Sequence, residues 1–193
     1  MAFWTTKQTA ATKDPKRKFR FTVTVTGING TAMMWWAKTA TKPSFAIAST
    51  EHKYLNHTFY YPGSVTWNDV AITLVDPVDT PGDMTMTLSQ LVQQAGYSVP
   101  SATGELSTMT KGKAVGTLGD VIIRQVDGAG DALETWTLRN AWILDLKFGD
   151  LEYGADDLTE LSMTLKYDWA TCETQNPGAA VAGTQSKTAF KIR

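Results

Sequence analysis

The sequence predicts a mainly β protein, an antiparallel β-sandwich or barrel with one short flanking α-helix and a long inter-subunit loop. Three observations support this fold class. Apolar and polar residues alternate with period two in several segments, which is the pattern of half-buried strands. Turn residues such as Asp127-Gly128 separate these segments. Only residues 84–95 carry apolar side chains at helical spacing, with Gly96 placed to cap the helix C-terminus.

The first strands are predicted in the N-terminal third of the chain. Residues 19–26 alternate apolar and polar side chains, which indicates a half-buried strand. Residues 27–30 have turn composition and predict a hairpin with a second strand at 31–38. A third strand is expected at 65–75. The segment between them, 39–62, is predicted to be a long loop, and loops of that size are usually functional.

The C-terminal half contains the strongest hairpin signal. Asp127-Gly128 lies between a strand at 120–126 and a second arm at 133–148. The residues assigned to the core side here, together with one from the third strand, are Trp67, Trp136, Leu138, Trp142, Leu144 and Leu146. A last strand is expected at 161–169, and residues 99–112 are expected to be irregular. The total is about seven strands with one helix.

The chain of 193 residues fits one domain with two arms. Residues 1–18 are predicted to be a basic N-terminal arm and residues 173–193 a C-terminal tail. The β domain spans residues 19–172, and residues 39–62 within it are the assembly loop. A lone cysteine, Cys172, excludes a disulfide within one chain and is expected to be a small buried residue.

Charge is distributed unevenly along the chain. The first 20 residues carry six basic side chains against Asp14 alone, whereas residues 21–172 carry nine basic and 17 acidic side chains. Either the basic ends are simply solvated, or they meet acidic surfaces of neighbouring copies. Nucleic-acid binding by the N-terminal arm is a third interpretation, and the acidic body argues against it.

No catalytic constellation is evident in the sequence. His52 and His57 are the only histidines, and their spacing on an extended segment is not expected to place them on one face. Five carboxylates in one acidic stretch could ligate calcium, but they lack the order of a helix–loop–helix site, so a solvated loop is favoured. These are Asp150, Glu152, Asp156, Asp157 and Glu160. We therefore predict that the protein is not an enzyme and that it uses no metal or cofactor.

Aromatic residues leave one alternative function open. Several aromatics could form a sugar platform in a carbohydrate-binding β-sandwich, although such residues more often pack in cores and interfaces. They are Trp35, Trp36, Tyr54, Phe59, Tyr60 and Tyr61. The N-terminus has no apolar run of signal-peptide length, and no window approaches the length of a membrane span. The chain is therefore predicted to be cytosolic at synthesis, without membrane contact.

The order of the motifs resembles one protein family. A K-T-A-T-K-P-S-F segment (38–45) leads into an aromatic return strand and then Y-P-G-S-V-T-W-N-D-V-A-I-T-L (61–74). After the helix come G-D-V-I-I-R-Q (119–125), W-T-L-R-N-A-W (136–142) and L-S-M-T-L-K-Y-D-W-A (161–170). In this order the chain resembles the tail tube protein of contractile-tailed bacteriophages and the inner-tube proteins of related contractile injection systems.

The resemblance implies a structural protein that assembles with itself. Six copies would form a ring, and rings would stack into a hollow tube that double-stranded DNA crosses without specific binding. Tail sheath, baseplate and tail-terminator proteins are the implied partners. The implied location is the tail of a virion, with the host cytoplasm before assembly. Inter-subunit contacts are implied for Thr41, Lys42, Pro43, Phe45, Tyr54, His57, Phe59 and Tyr61.

A pore that passes DNA needs a polar surface that does not retain phosphates. The polar faces of the strands predicted at 120–126 and 134–140 have this character. The residues expected to face the lumen are Asp120, Arg124, Thr135, Thr137 and Arg139.

Overall fold

The computed structural model describes residues 16–27, 37–78, 83–99, 108–154, 156–174 and 188–190. Within these ranges the chain forms eleven strands and two helices. In chain order they are β1 (Phe21–Val25), β2 (Ala37–Ala40), β3 (Phe45–Tyr54), β4 (His57–Trp67), β5 (Val70–Val75), α1 (Met84–Gln94), α2 (Lys111–Leu118), β6 (Val121–Val126), β7 (Ala132–Arg139), β8 (Trp142–Lys147), β9 (Glu160–Lys166), β10 (Trp169–Thr174) and β11 (Thr188–Ala189).

The strands form two sheets and a separate hairpin. One sheet has the order β1-β6-β7-β10-β11, the other has the order β2-β5-β9-β8, and β3 pairs with β4 alone. All of the paired strands are antiparallel. The predicted mainly β, antiparallel sandwich is therefore confirmed, and the sheets do not close into a barrel.

The core lies between the two sheets. Val23, Ile123 and Leu138 contribute to it from the five-stranded sheet, and Ile72 and Met163 from the four-stranded sheet. Period-two alternation explains why these strands bury one face, because successive side chains point to opposite sides. Burial of such aliphatic side chains stabilises the fold by about 1.5 to 3 kcal/mol each.

Helix α1 forms where helical spacing predicted it. The side chain of Asp83 caps its N-terminus by accepting a hydrogen bond from the Met86 amide, and Leu88 and Leu91 on one face are buried. A second helix, α2, was not predicted, because Gly112 and Gly116 lower the helix propensity of its sequence. Burial of Ala114 and Leu118 and an N-terminal cap by Thr110 offset that weakness.

Three strand predictions need correction. The second arm at 133–148 is not one strand, because β7 and β8 belong to different sheets. Residues 161–169 do not form one strand, since β9 ends before Tyr167 and β10 continues in the other sheet with the opposite parity. Strand β1 pairs with β6, and the described part of the predicted second strand pairs with β5 instead. Turn composition alone does not decide which strands become neighbours.

A register shift in β8 also changes which residues face the core. The shift lies between Ile143 and Asp145, so that Ile143 and Leu146 pack against the core while Leu144 is 47% exposed. The prediction that Leu144 faces the core was therefore wrong. Trp142 is half-buried beside the helices, whereas Trp67 and Trp136 pack against the core as predicted.

Candidate assembly surface

The segment predicted as a long loop is mostly a long β-hairpin. Strands β3 and β4 pair from Phe45 and Trp67 at the root to Tyr54 and His57 at the tip. At about 3.3 Å per residue, the eleven residues of β4 span roughly 35 Å. Every residue of β3 is exposed, and so is almost all of β4. The hairpin therefore stands apart from both sheets with two uncovered faces.

The turn at the hairpin tip explains why the sequence did not reveal it. Leu55 and Asn56 form the two-residue connection, and Leu55 has a φ of 52°. Two-residue hairpin turns usually place Gly or Asn at such positions, because a side chain is strained there. Leu55 is also 88% exposed. An exposed leucine held in a strained conformation is a functional candidate that sequence reasoning missed.

One face of the outer hairpin is strongly aromatic. Cross-strand partners share a face, and the pairs Thr50–Tyr61, His52–Phe59 and Tyr54–His57 follow one another beyond the register shift at Ile47/Ser49. We define the aromatic face as His52, Tyr54, His57, Phe59 and Tyr61. Its tyrosine and phenylalanine side chains are between 45% and 65% exposed. Such a patch is typical of a protein contact surface.

The aromatic face brings together four of the predicted contact residues. Tyr54, His57, Phe59 and Tyr61 all belong to it, and the His57 and Phe59 rings meet edge to face at 4.6 Å. The expectation that His52 and His57 lie on different faces was wrong, because the chain reverses between them. Tyr60, which is 70% exposed, lies on the opposite face.

An aromatic cluster fixes the hairpin root to the domain. Trp67 packs against Phe45 at 5.2 Å, against Tyr167 at 5.9 Å and against Phe190 at 5.3 Å between ring centroids. Tyr167 is buried, and burial raises its pKa to about 12. Phe190 follows β11, so part of the predicted C-terminal tail is an edge strand that closes over this root. The hairpin therefore projects from a well-packed base.

The remaining predicted contact residues lie at this base. The Thr41 amide donates to the Ala71 carbonyl at 2.9 Å, and the Thr41 hydroxyl accepts from the Ala71 amide at 2.8 Å. Pro43 is buried, and Phe45 is 41% exposed beside Trp67. Contacts of these residues with a neighbouring copy remain predictions, and within one chain they hold the root.

Lys42 takes part in a charged cluster around a buried carboxylate. Glu134 accepts hydrogen bonds from Lys42 at 2.9 Å, from Lys16 and from the Trp136 indole. Burial raises the pKa of Glu134, but these three donors outweigh it and lower the pKa to about 2. Lys42 also donates to Gln125 at 2.7 Å. The carboxylate is thus ionised and joined to two separate segments of the chain.

The outer face of the five-stranded sheet is rich in threonine. Strand register places Thr24, Ile122, Thr137 and Thr171 in one row across β1, β6, β7 and β10. A second row consists of Thr22, Arg124, Thr135 and Glu173. We call these two rows the threonine face. Five of its eight residues are threonines, and the others are Ile122, Arg124 and Glu173.

The five residues expected to face a lumen all lie on this side of the sheet. Arg124, Thr135 and Thr137 belong to the threonine face, and Arg139 is next to it on β7. Arg139 donates to the Asp120 carboxylate at 2.8 Å, so the two charges neutralise each other. That this side lines a pore remains a prediction.

The described residues contain no group of three or more His, Cys, Asp or Glu side chains arranged to hold a metal ion. In the acidic stretch, Glu160 pairs with Lys38 instead. No helix within the described ranges is long and apolar enough to cross a bilayer. Of the aromatics named for the carbohydrate-binding alternative, Trp35 and Trp36 lie outside the described residues, and the other four lie exposed on the β3–β4 hairpin.

The sequence matches no protein-family model and no curated protein. Solved structures do match. The tube-terminating cap of the anti-feeding prophage matches with a TM-score of 0.61 and 19% identity over 90% of this chain and 99% of its own. This chain has the tube-protein fold of contractile injection systems.

Two further structures support the tube-protein fold. A chain of the sheath–tube complex of the extracellular contractile injection system PVC matches with a TM-score of 0.60 and 18% identity over 85% of this chain and 95% of its own. A chain of the PVC sheath/tube terminator matches with a TM-score of 0.60 and 17% identity over 85% and 100%. The resemblance seen in the motif order is therefore confirmed for the fold. The carbohydrate-binding alternative is not favoured.

Proposed function

We propose that this protein is a structural subunit of a contractile tail or injection-system tube. In this proposal six copies close a ring, and rings stack into a hollow tube. A head-to-tail interface closes a ring when its rotation permits, and the two unlike faces of that ring can stack repeatedly. The tube-protein fold supports this function over nearly the whole length of the chain.

The observation that carries the proposal is the β3–β4 hairpin. A two-stranded hairpin is marginally stable in water by itself, and this one leaves both faces uncovered. Its aromatic face carries five rings, including the exposed Phe59 and Tyr61. A neighbouring subunit that covered this face would bury its apolar surface, and that burial would stabilise both the hairpin and the contact. We therefore assign the aromatic face to contact with a second copy.

The threonine face supports passage of a polymer through the tube. Short hydroxyl side chains present no deep pockets, and Arg139 is neutralised by Asp120. A phosphate backbone passing this surface meets few free cations that could retain it. We propose that this face lines the lumen and that double-stranded DNA is the cargo, in the tail of a phage virion.

The proposed partners follow from the assemblies that contain the similar structures. Those structures are a tube cap, a sheath–tube complex, a baseplate and a sheath/tube terminator. We propose that this subunit contacts a sheath on the tube exterior, a baseplate at one end and a terminator at the other. Before assembly it would reside in the host cytoplasm. A structural role of this kind requires no catalytic site.

Negative-stain microscopy of the purified protein tests the proposed function. We expect rings with six-fold class averages, or long hollow polymers, at high protein concentration. Light scattering coupled to size-exclusion chromatography should give a matching mass of six chains or a multiple of it. A protein that stays strictly monomeric at the highest attainable concentration contradicts the proposal.

A further inference from the structure

Glu134 occupies an unusual place in the fold. It lies on β7 with the parity of Trp136 and Leu138, which point towards the core. Among the described residues it is the one charged side chain in the buried class, at 9% exposure. An ionised carboxylate at such a position is costly unless charged partners and hydrogen bonds compensate it. The partners of Glu134 therefore explain how its charge is accommodated at this position.

Those partners belong to two segments that are distant in sequence. One carboxylate oxygen accepts from Lys16, which lies in the predicted basic N-terminal arm. The other accepts from Lys42, three residues before the hairpin strand β3. Gln125 lies directly opposite Glu134 on β6 and makes hydrogen bonds to the same two segments. It accepts from Lys42 at 2.7 Å and donates to the Arg17 carbonyl at 3.1 Å.

Other contacts act beside this link. In the segment 16–20, the Arg20 carbonyl accepts a hydrogen bond from the Val126 amide of β6 at 3.1 Å. On either side of Lys42, the Thr41 hydroxyl accepts from the Ala71 amide and Pro43 is buried. These contacts hold each segment separately, whereas the carboxylate of Glu134 joins both segments to one point on β7.

We propose that Glu134 is a positioning residue that holds residues 16–18 of the N-terminal arm and the root of the β3–β4 hairpin together. The importance of this role for assembly rests on the proposed function. The local role does not, because it concerns a single chain. The physical reason is that one carboxylate, which accepts hydrogen bonds from two lysines, holds both segments at the same point on β7.

Hydrogen exchange of the dilute, unassembled protein tests the local role. The Glu134→Gln variant keeps the size of the side chain and removes its charge. We expect exchange to rise about tenfold at residues 16–20 and 41–46 and to stay unchanged in β9, since charge-assisted bonds are worth about one such factor. Glu152→Gln, at an exposed loop position, is the matched control and should change neither segment.

Single lysine variants sharpen the test. Lys16→Gln should raise exchange at the arm root alone, and Lys42→Gln at the hairpin root alone. A Glu134→Gln variant that loosens only one segment, or neither, overturns the proposal. If Glu134→Gln does not fold, the lysine variants decide, because unchanged exchange at the hairpin root in Lys42→Gln also overturns it.

Assembly provides the second readout. Glu134→Gln should raise the protein concentration needed for polymerisation about tenfold, with Glu152→Gln matching wild type. Combining Glu134→Gln with Lys42→Gln should add little to the effect of Glu134→Gln, because both changes break the same link. Fully additive effects contradict a shared role. A wild-type protein that never assembles refutes the proposed function, while the exchange measurements still test Glu134.

Discussion

Individual residues that break the local pattern carry much of the information in this chain. Glu134 is an acid at a core-facing position, and Leu55 is a leucine at positive φ. Either departure costs free energy in a single chain unless partners compensate it. For Glu134 the partners are Lys16, Lys42 and Trp136. For Leu55 the described part of the chain offers no cover, since its side chain is 88% exposed.

The acid stability of the protein should depend on Glu134. Its pKa in the folded chain is about 2, below the ordinary value of 4.5, so its contribution is fully present above pH 4.5 and is lost as the pH falls towards 2. Allowing for solvent screening of the half-exposed lysines, we expect a loss of about 1 to 2 kcal/mol. Urea unfolding of wild type and Glu134→Gln at pH 7 and pH 2.5 measures this. If the two proteins differ in free energy of unfolding by the same amount at both pH values, the predicted role of Glu134 in acid stability is contradicted.

Leu55 should matter for assembly more than for folding. The Leu55→Asn variant introduces a residue that tolerates positive φ and removes the apolar tip. We expect the free energy of unfolding to stay the same or to rise by up to about 1 kcal/mol as the strain is relieved, while polymerisation weakens. Thermal unfolding and light scattering measure the two effects. Val78→Asn, at an exposed loop position far from the hairpin in sequence, is the control and should assemble normally.

At the scale of elements, the β3–β4 hairpin is the feature that a sandwich alone does not need. Its root is packed by Trp67, Tyr167 and Phe190, so the strands leave the domain from a fixed base. Its outer part carries rings on one face and mostly polar residues on the other. In the proposed assembly we therefore expect one face, and not the whole hairpin, to make the closer contact with a partner.

Matched substitutions on the two faces test this asymmetry. Phe59→Ser lies on the aromatic face and Tyr60→Ser lies opposite, and both positions are exposed in one chain. We expect Phe59→Ser to raise the polymerisation threshold at least about tenfold, the usual effect of removing a buried aromatic contact, and Tyr60→Ser to do much less. Both variants should stay folded by circular dichroism. Equal effects of the two changes, or none, would argue against the aromatic face as the contact.

Shortening the hairpin separates its role from folding. Replacing residues 48–64 with Asn-Gly closes the hairpin at the Ile47–Val65 pair and keeps the aromatic root. We expect a folded monomer that does not stack, because the removed part is exposed and pairs with no strand of either described sheet. Analytical ultracentrifugation measures the outcome. A shortened protein that still polymerises would show that the hairpin is not the connector.

At the scale of the whole molecule, the two sheets have different outer surfaces. The five-stranded sheet presents the threonine face, whereas the helices lie beside β8 of the four-stranded sheet. A ring that turned the threonine face inward would have a smooth lumen and would leave α1 outside. Such a ring would have two chemically distinct walls.

Cysteine labelling tests which side faces the lumen. In a Cys172→Ala background, Thr137→Cys lies on the threonine face and Gln93→Cys lies exposed on α1. Both should react with a small maleimide in the dilute chain. In assembled tubes we expect a polymer-linked maleimide to label Gln93→Cys at least about tenfold faster, because the lumen excludes large reagents. Equal labelling rates of the two cysteines in tubes contradict the proposed orientation.

The sequence by itself determined the mainly β class, the helix at α1 and the inward faces of β1, β6 and β7, because these depend on local alternation and spacing. It also grouped Tyr54, His57, Phe59 and Tyr61 as contact candidates through a family resemblance. Only the tertiary structure decided the hairpin, helix α2 and the partners of Glu134. Leu55, Gly112 and Glu134 each contradict the local rule at their position, and long-range packing and charge pairing outweigh that rule.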